Sequence, residues 1–256
     1  MYRGITVAVS GKGGVGKTDL SALLIRCLSE AGSVLAIDAD ADANLAQALG
    51  VTVHKTVGGV RESILNAPAR SPIAAGGKGM ALKDELYTVI EEADKFDIVV
   101  MGRPEGEGCY CPVNHIIREV VDTLGRNYDF TVIDCEAGLE HLSRKTTRDV
   151  NFMIVVTEPT ANSILTAKRV ERLAEELSIN FGTIMVAANK VTPEMMPVLE
   201  RIAQENGIEI AIHIPYDPAL AELDLVGRPA VELPGDSPAS LAAAEICDII
   251  LKSWQE

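Results

Sequence analysis

Two hydrophobic patterns alternate along the 256 residues: short unbroken apolar runs and longer stretches with helical spacing. Residues 5–9, 33–38, 96–101 and 128–134 are runs of the first kind, which reads as strands buried on both faces. After the first run, Leu20, Leu23, Leu24, Cys27 and Leu28 recur on one side of a helix, and residues 44–47 begin another. In the second half, runs at 152–156, 183–188 and 208–214 alternate with helices predicted over about 162–177 and 193–206, and further helices follow toward the C-terminus. Strand and helix in strict alternation predict an α/β fold, a doubly wound and mostly parallel sheet flanked by helices. Residues 51–95 are patchier, with helical patterning at 60–65 and 82–90, and are read as a helical insertion on the rim of a single domain spanning 1–256.

The turn between the first strand and the first helix carries the clearest chemistry. Gly11, Gly16, Lys17 and Thr18 fit G-x-x-x-x-G-K-[ST], in the strand-to-helix context that motif requires. Such a loop cradles phosphates: Gly11, Lys12, Gly13, Gly14, Val15 and Gly16 turn N–H groups inward, Lys17 reaches the β/γ oxygens and Thr18 can ligate Mg²⁺. ATP or ADP is the expected ligand. With Lys12 the loop reads K-G-G-V-G-K-T. That sequence resembles the deviant Walker A box of the MinD/ParA and nitrogenase iron protein class of ATPases. The resemblance implies a homodimer in which Lys12 reaches the opposite subunit's nucleotide.

Acids gather where ligand chemistry is expected, at the carboxyl ends of parallel strands. Asp38, Asp40 and Asp42 follow the second strand, and Asp134 ends the fourth as a Walker B acid does. Asp38, Asp134 and Thr18 are the candidates for holding Mg²⁺. The segment from Asp38 resembles the first switch of the same ATPases, which implies that Asp40 orients the hydrolytic water, and Ala41 stands where that pattern has proline. Helix capping competes as an explanation of these aspartates. Gly138 would let an N–H approach the γ-phosphate. Asn189, Lys190 and Pro215 end later strands where related ATPases frame adenine, and Asn189 can offer both a donor and an acceptor to a base edge.

Composition sharpens this in two ways. With 37 acidic against 23 basic side chains, the net charge is −14, a field that repels nucleic acid and anionic lipid. Phosphate binding must then be local. No apolar run reaches a membrane span and no signal-peptide pattern opens the chain, so a cytoplasmic protein with no membrane or nucleic-acid partner is expected. Five cysteines fit reduced thiols. Cys27 and Cys247 fall on apolar helical faces and Cys135 next to the nucleotide, all read as structural. Cys109 and Cys111 differ: they sit one residue apart in a glycine-rich loop, and Pro112 opens a helix marked by Val113, Ile116, Ile117, Val120, Val121 and Leu124. Two thiols at a helix N-terminus, where the dipole favours thiolate, can converge on a soft metal. His115 lies off that apolar stripe.

Taken with the P-loop, M-G-R-P-E-G-E-G-C-Y-C at residues 101–111 and E-A-G-L-E-H-L-S-R at residues 136–144 resemble the nickel-inserting maturation ATPases of carbon monoxide dehydrogenase and acetyl-CoA synthase, the CooC/AcsF type. The resemblance covers nearly the whole chain. It implies an ATP-hydrolysing homodimer that holds Ni²⁺ or Zn²⁺ between the C-x-C loops of two subunits and serves a nickel enzyme as client. Asp19 departs from it, standing where a second threonine faces the α-phosphate. A carboxylate ~4 Å from a phosphate charge costs about 4 kcal/mol at an effective dielectric of 20. Three alternatives remain: an iron–sulfur reductase ATPase, a non-enzymatic metal sensor or store, and a spatial-positioning ATPase, the last disfavoured by a tail with a single lysine at Lys252.

Overall fold

The computed structural model of the protein describes residues 4–65, 87–102, 123–136, 150–176 and 181–255. Eight strands form one sheet: β1 (Ile5–Gly11), β2 (Val34–Asp38), β3 (Ile90–Glu92), β4 (Asp97–Val100), β5 (Phe130–Asp134), β6 (Val150–Thr157), β7 (Phe181–Val191) and β8 (Ile210–Pro215). Their order across the sheet is β3-β4-β2-β5-β1-β6-β7-β8. Seven strands run parallel, and β3 alone pairs antiparallel, with β4. The α-helices among the described residues are α1 (Lys17–Leu28), α2 (Leu45–Ala48), α3 (Val57–Leu65), α4 (Ala161–Glu176), α5 (Met196–Glu205), α6 (Pro218–Leu225) and α7 (Pro238–Gln255).

Because both faces of the sheet are covered, strand residues are buried whichever way they point. Val7, Val9 and Ala36 join Leu24, Leu28, Ile246 and Ile250 in the core beneath α1 and α7. Ala8, Leu35 and Ile37 face the other way and pack with Ile164, Ala167 and Leu199 of α4 and α5. This explains why the strands read as unbroken apolar runs without alternation. Arg26 ties α1 to the C-terminal region, donating from Nη1 to the Val231 and Leu233 carbonyls at 2.9 and 2.5 Å and from Nη2 to Ser240 Oγ at 2.8 Å.

Two expectations change. Residues 82–90 are not helical throughout: Tyr87–Val89 is a 3₁₀ turn and Ile90 begins β3. A three-residue edge strand is too short to show its own period, so its apolar residues borrowed a helical one. The helix expected from 193 starts at Met196, because residues 192–195 form a turn in which Met195 N–H donates to Thr192 O. The helix expected after Pro112 lies outside the described residues, apart from its end at Leu124, which is buried. Among the described residues, no helix is long and apolar enough to cross a membrane.

Candidate functional site

The order of strands turns back at β1: α1 carries the chain to β2 on one side, whereas β6, β7 and β8 extend the sheet on the other. A crevice opens at the carboxyl ends of the strands at such a point. Here it is a cleft of about 790 Å³ whose walls include Gly13, Gly14, Gly16, Lys17, Thr18 and Asp19 of the loop. That volume is in the range of small-molecule sites.

Two glycines are required by contact as well as by backbone. A Cβ on Gly11 would meet Val156 O at 2.3 Å, and one on Gly16, which has φ +90°, would meet Asn189 Nδ2 at 2.4 Å. The loop therefore packs against the ends of β6 and β7. Gly16 is the N-cap of α1 and no side chain caps that terminus. The first N–H groups of the helix are left for an anion. Lys17 is buried, and its Nζ donates to Lys12 O at 3.3 Å. Val15 is buried beneath the loop, and Lys12 is exposed.

Thr18 and Asp134 are in direct contact. Thr18 Oγ1 donates to Asp134 Oδ2 at 2.7 Å and Ser21 Oγ to Oδ1 at 3.2 Å. Ser21 escaped the motif reading, although its position one turn after Thr18 places it on the same helical face. Asp38 lies in register with Asp134, and both are buried. Burial is the main cause that raises Asp38 to about 7, with the Asp134 charge adding to it and the Leu45 and Asp40 N–H groups opposing. Burial likewise raises Asp134 to about 6, against the Thr18 hydroxyl and the Lys17 charge. Thr18, Asp38 and Asp134 offer only oxygen, the donor set of a hard cation such as Mg²⁺, which takes its remaining ligands from water and phosphate. Among the described residues, no group of three or more His, Cys, Asp or Glu side chains is gathered to hold a metal ion.

The loop that follows β2 is organised by Asp38. Its Oδ1 accepts from Asp40 N at 3.1 Å, and its Oδ2 accepts from Leu45 N, the first residue of α2, at 2.9 Å. So Asp38 caps α2 from a strand end. Asp40 Oδ1 accepts from Asp42 N at 2.9 Å, Ala43 takes φ +53°, and both aspartates line the cleft. Alanine at 41 therefore sits in a turn fixed by side-chain bonds.

At the far wall, Asn189, Lys190 and Pro215 line the cleft. Asn189 Nδ2 donates to Val15 O at 2.8 Å and Oδ1 accepts from Lys190 N at 2.8 Å. Each group keeps one further position, an amide hydrogen and a lone pair. Asp217 beyond Pro215 caps two helices, accepting from Ala219 N at 3.0 Å with Oδ1 and from Ala239 N at 3.0 Å with Oδ2. Asp19 also faces the cleft. Its carboxyl is pushed up to about 6, by burial first and by Asp224 next, with Lys190 opposing. Asp224 and Arg228 in that wall carried no sequence signal, since they belong to no motif. Cys135 is buried and Cys247 wholly so, while Cys27 is half-buried. Gly138, Cys109, Cys111 and His115 lie outside the described residues.

A glycine-rich loop on an uncapped helix N-terminus, with a buried lysine and a hydroxyl–carboxylate pair beside it, defines a P-loop nucleotide-binding protein. Residues 6–230 match the CobQ/CobB/MinD/ParA nucleotide binding domain, and the chain belongs to that family of ATPases. It is 45% identical over 247 residues to an uncharacterized ATP-binding protein of Methanocaldococcus jannaschii, covering 96% of this chain and 98% of that one. It is 35% identical over 240 residues to the carbon monoxide dehydrogenase accessory protein CooC of Rhodospirillum rubrum, covering 89% of each. In fold it is similar to the septum site-determining protein MinD of Pyrococcus horikoshii OT3, solved with Mg-ADP, at TM-score 0.69 and 23% identity over 97% of this chain and 96% of that one.

Proposed function

We propose that this ATPase is a nucleotide-dependent homodimeric metallochaperone that supports nickel insertion into a carbon monoxide dehydrogenase or acetyl-CoA synthase. The observation that carries the reading is the 35% identity to the carbon monoxide dehydrogenase accessory protein over 89% of both chains. The Cys109-Tyr110-Cys111 sequence supports it, because a soft divalent metal in a closed site wants about four ligands and two such loops supply four thiolates. The active form is then a two-fold dimer, with a metal, Ni²⁺ or Zn²⁺, as cargo between its subunits.

In this reading Lys17 leaves the Lys12 carbonyl to bind the β/γ-phosphate oxygens. Thr18, Asp38 and Asp134 would hold Mg²⁺, which would supply charge neutralisation at the phosphates. Asp40 orients the attacking water, Lys12 reaches the opposite nucleotide, and Gly138 senses the γ-phosphate. Asn189, Lys190 and Pro215 border the base.

The test is metal analysis with sizing, in ADP and in ATP. One Ni²⁺ or Zn²⁺ per dimer is expected, with Cys109→Ser and Cys111→Ser losing the metal and keeping ATP hydrolysis. One metal per monomer, retained by both variants, would overturn the reading. Iron and a visible charge-transfer spectrum in anaerobically purified protein would point instead to an iron–sulfur reductase.

A further inference from the structure

The end of β7 holds the phosphate loop by its carbonyls. Asn189 Nδ2 donates to Val15 O at 2.8 Å, and Lys190 Nζ donates to the preceding carbonyl, Gly14 O, at 2.9 Å. Lys190 Nζ also pairs with Glu158 Oε1 at 3.4 Å. Glu158 follows β6 directly and is held there, its N–H donating to the buried Ser163 Oγ at 2.9 Å.

Two features mark this as more than a surface ion pair. Lys190 has φ +59°, in the left-handed region where a side chain is strained, at an irregularity in the β7–β8 register. Glycine would relieve the strain, and a lysine in that conformation points to a use for its side chain. The second feature is peptide planarity. In a trans peptide the carbonyl and the following N–H point in opposite directions, and among the described residues no peptide bond is cis. With Gly14 O drawn to Lys190, the Val15 N–H is turned away from β7; with Val15 O drawn to Asn189, the Gly16 N–H is too.

We propose that Glu158 is a positioning residue for nucleotide binding: it keeps the Lys190 ammonium on the Gly14 carbonyl, and through that peptide fixes the direction of a phosphate-binding N–H. The inference rests on nucleotide binding at the loop and not on the metal reading, so a protein that carried no nickel would leave it intact.

Simple charge and positioning predict opposite signs here, which makes the test sharp. Removing a carboxylate near a phosphate site should tighten binding of an anion if charge alone matters. If Glu158 positions the loop, Glu158→Ala should weaken ADP binding by calorimetry about three- to tenfold, the scale of one lost hydrogen bond, and Glu158→Gln, which still accepts from Nζ, should restore most of it. Displacement by inorganic pyrophosphate, which has no base, should weaken by the same factor. The side chain of Glu158 is 38% exposed, so the fold tolerates both changes, and a thermal melt checks this. Tighter or unchanged ADP binding in Glu158→Ala overturns the proposal, as does a loss seen with ADP and not with pyrophosphate, which would put Lys190 to work on the base instead.

Discussion

Asp38 and Asp134 are register partners on adjacent parallel strands, and both carboxyls are buried beside the phosphate loop. Each ordinarily titrates at 3.8, and burial raises them to about 7 and about 6. Between those values the folded state holds protons that the unfolded state has released. Stability therefore falls as pH rises from about 4 to about 7, the reverse of a salt-bridged acid. Nucleotide-free, magnesium-free protein should show a urea midpoint that declines across that window, and Asp38→Asn should flatten the decline. A midpoint that climbs instead would mean that the carboxyls are not held protonated. Since a cation needs the ionised oxygens, Mg²⁺ dependence of ATP binding should strengthen over the same rise in pH.

Asp19 lines the nucleotide cleft, so its charge bears on affinity. Asp19→Thr removes a charge that repels phosphate and restores a hydroxyl. With burial and Asp224 raising its carboxyl to about 6, part of the repulsion is already relieved near that pH. ATP binding should tighten about tenfold or more at pH 8 and less at pH 6, given about 4 kcal/mol for a fully charged pair at ~4 Å. Equal gains at both pH values would show that titration of Asp19 plays no part.

Lys17 and Asp40 should separate binding from hydrolysis. Lys17 is buried against the loop, whereas Asp40 lies in the loop after β2, and both line the cleft. Lys17→Ala is expected to lose nucleotide binding in a fluorescent-ATP titration. Asp40→Ala should bind ATP, release phosphate at least about a hundredfold more slowly, as for loss of a general acid–base group, and remain dimeric on a sizing column. Wild-type turnover in the Asp40 variant would remove it from the mechanism.

Much of this site can be read from the chain because its parts are local. The loop from Gly11 to Thr18 is eight consecutive residues, and Asp38 and Asp134 each follow an apolar run that marks a strand end. What could not be read depends on distant pairs. Lys190 and Gly14 are 176 positions apart, and only the bulge at the end of β7 aims one at the other. A strand end facing the ligand points Asn189 toward a base, and the structure gives half of its hydrogen-bonding capacity to Val15 and Lys190. Asp38 as the cap of α2 was hidden for a related reason, since it lies seven residues before Leu45 and outside any local capping pattern.

Arg26 offers a test of the packing behind the site. Its guanidinium satisfies two carbonyls and a hydroxyl of the C-terminal region from the last turn of α1. Arg26→Ala leaves those groups unpaired and should lower unfolding free energy by about 2–3 kcal/mol in urea titrations. Arg26→Lys should recover little, because one ammonium cannot match the fork. A full recovery by lysine would show that charge, and not the forked geometry, holds the two regions together.

The final prediction concerns coupling between nucleotide and metal. If two C-x-C loops share one ion across a two-fold axis, metal binding and dimer formation are one equilibrium. If Lys12, which is exposed on the protomer, reaches the opposite nucleotide, ATP favours that same dimer. Each ligand must then raise the other's apparent affinity by the same factor, because linkage is reciprocal. A coupling of about 1–3 kcal/mol, five- to 150-fold, is the usual range. Nickel titrations followed by thiolate-to-metal absorbance should therefore tighten in a non-hydrolysable ATP analogue relative to ADP. ATP-analogue titrations of nickel-loaded and metal-free protein should tighten by the same factor. Lys12→Ala should abolish both effects while the protomer still binds nucleotide through Lys17, and Cys109→Ser should abolish the metal arm while leaving ATP-driven dimerisation in place. Metal affinity identical in the two nucleotides, in a wild-type protein shown to dimerise with ATP, would disconnect the two sites.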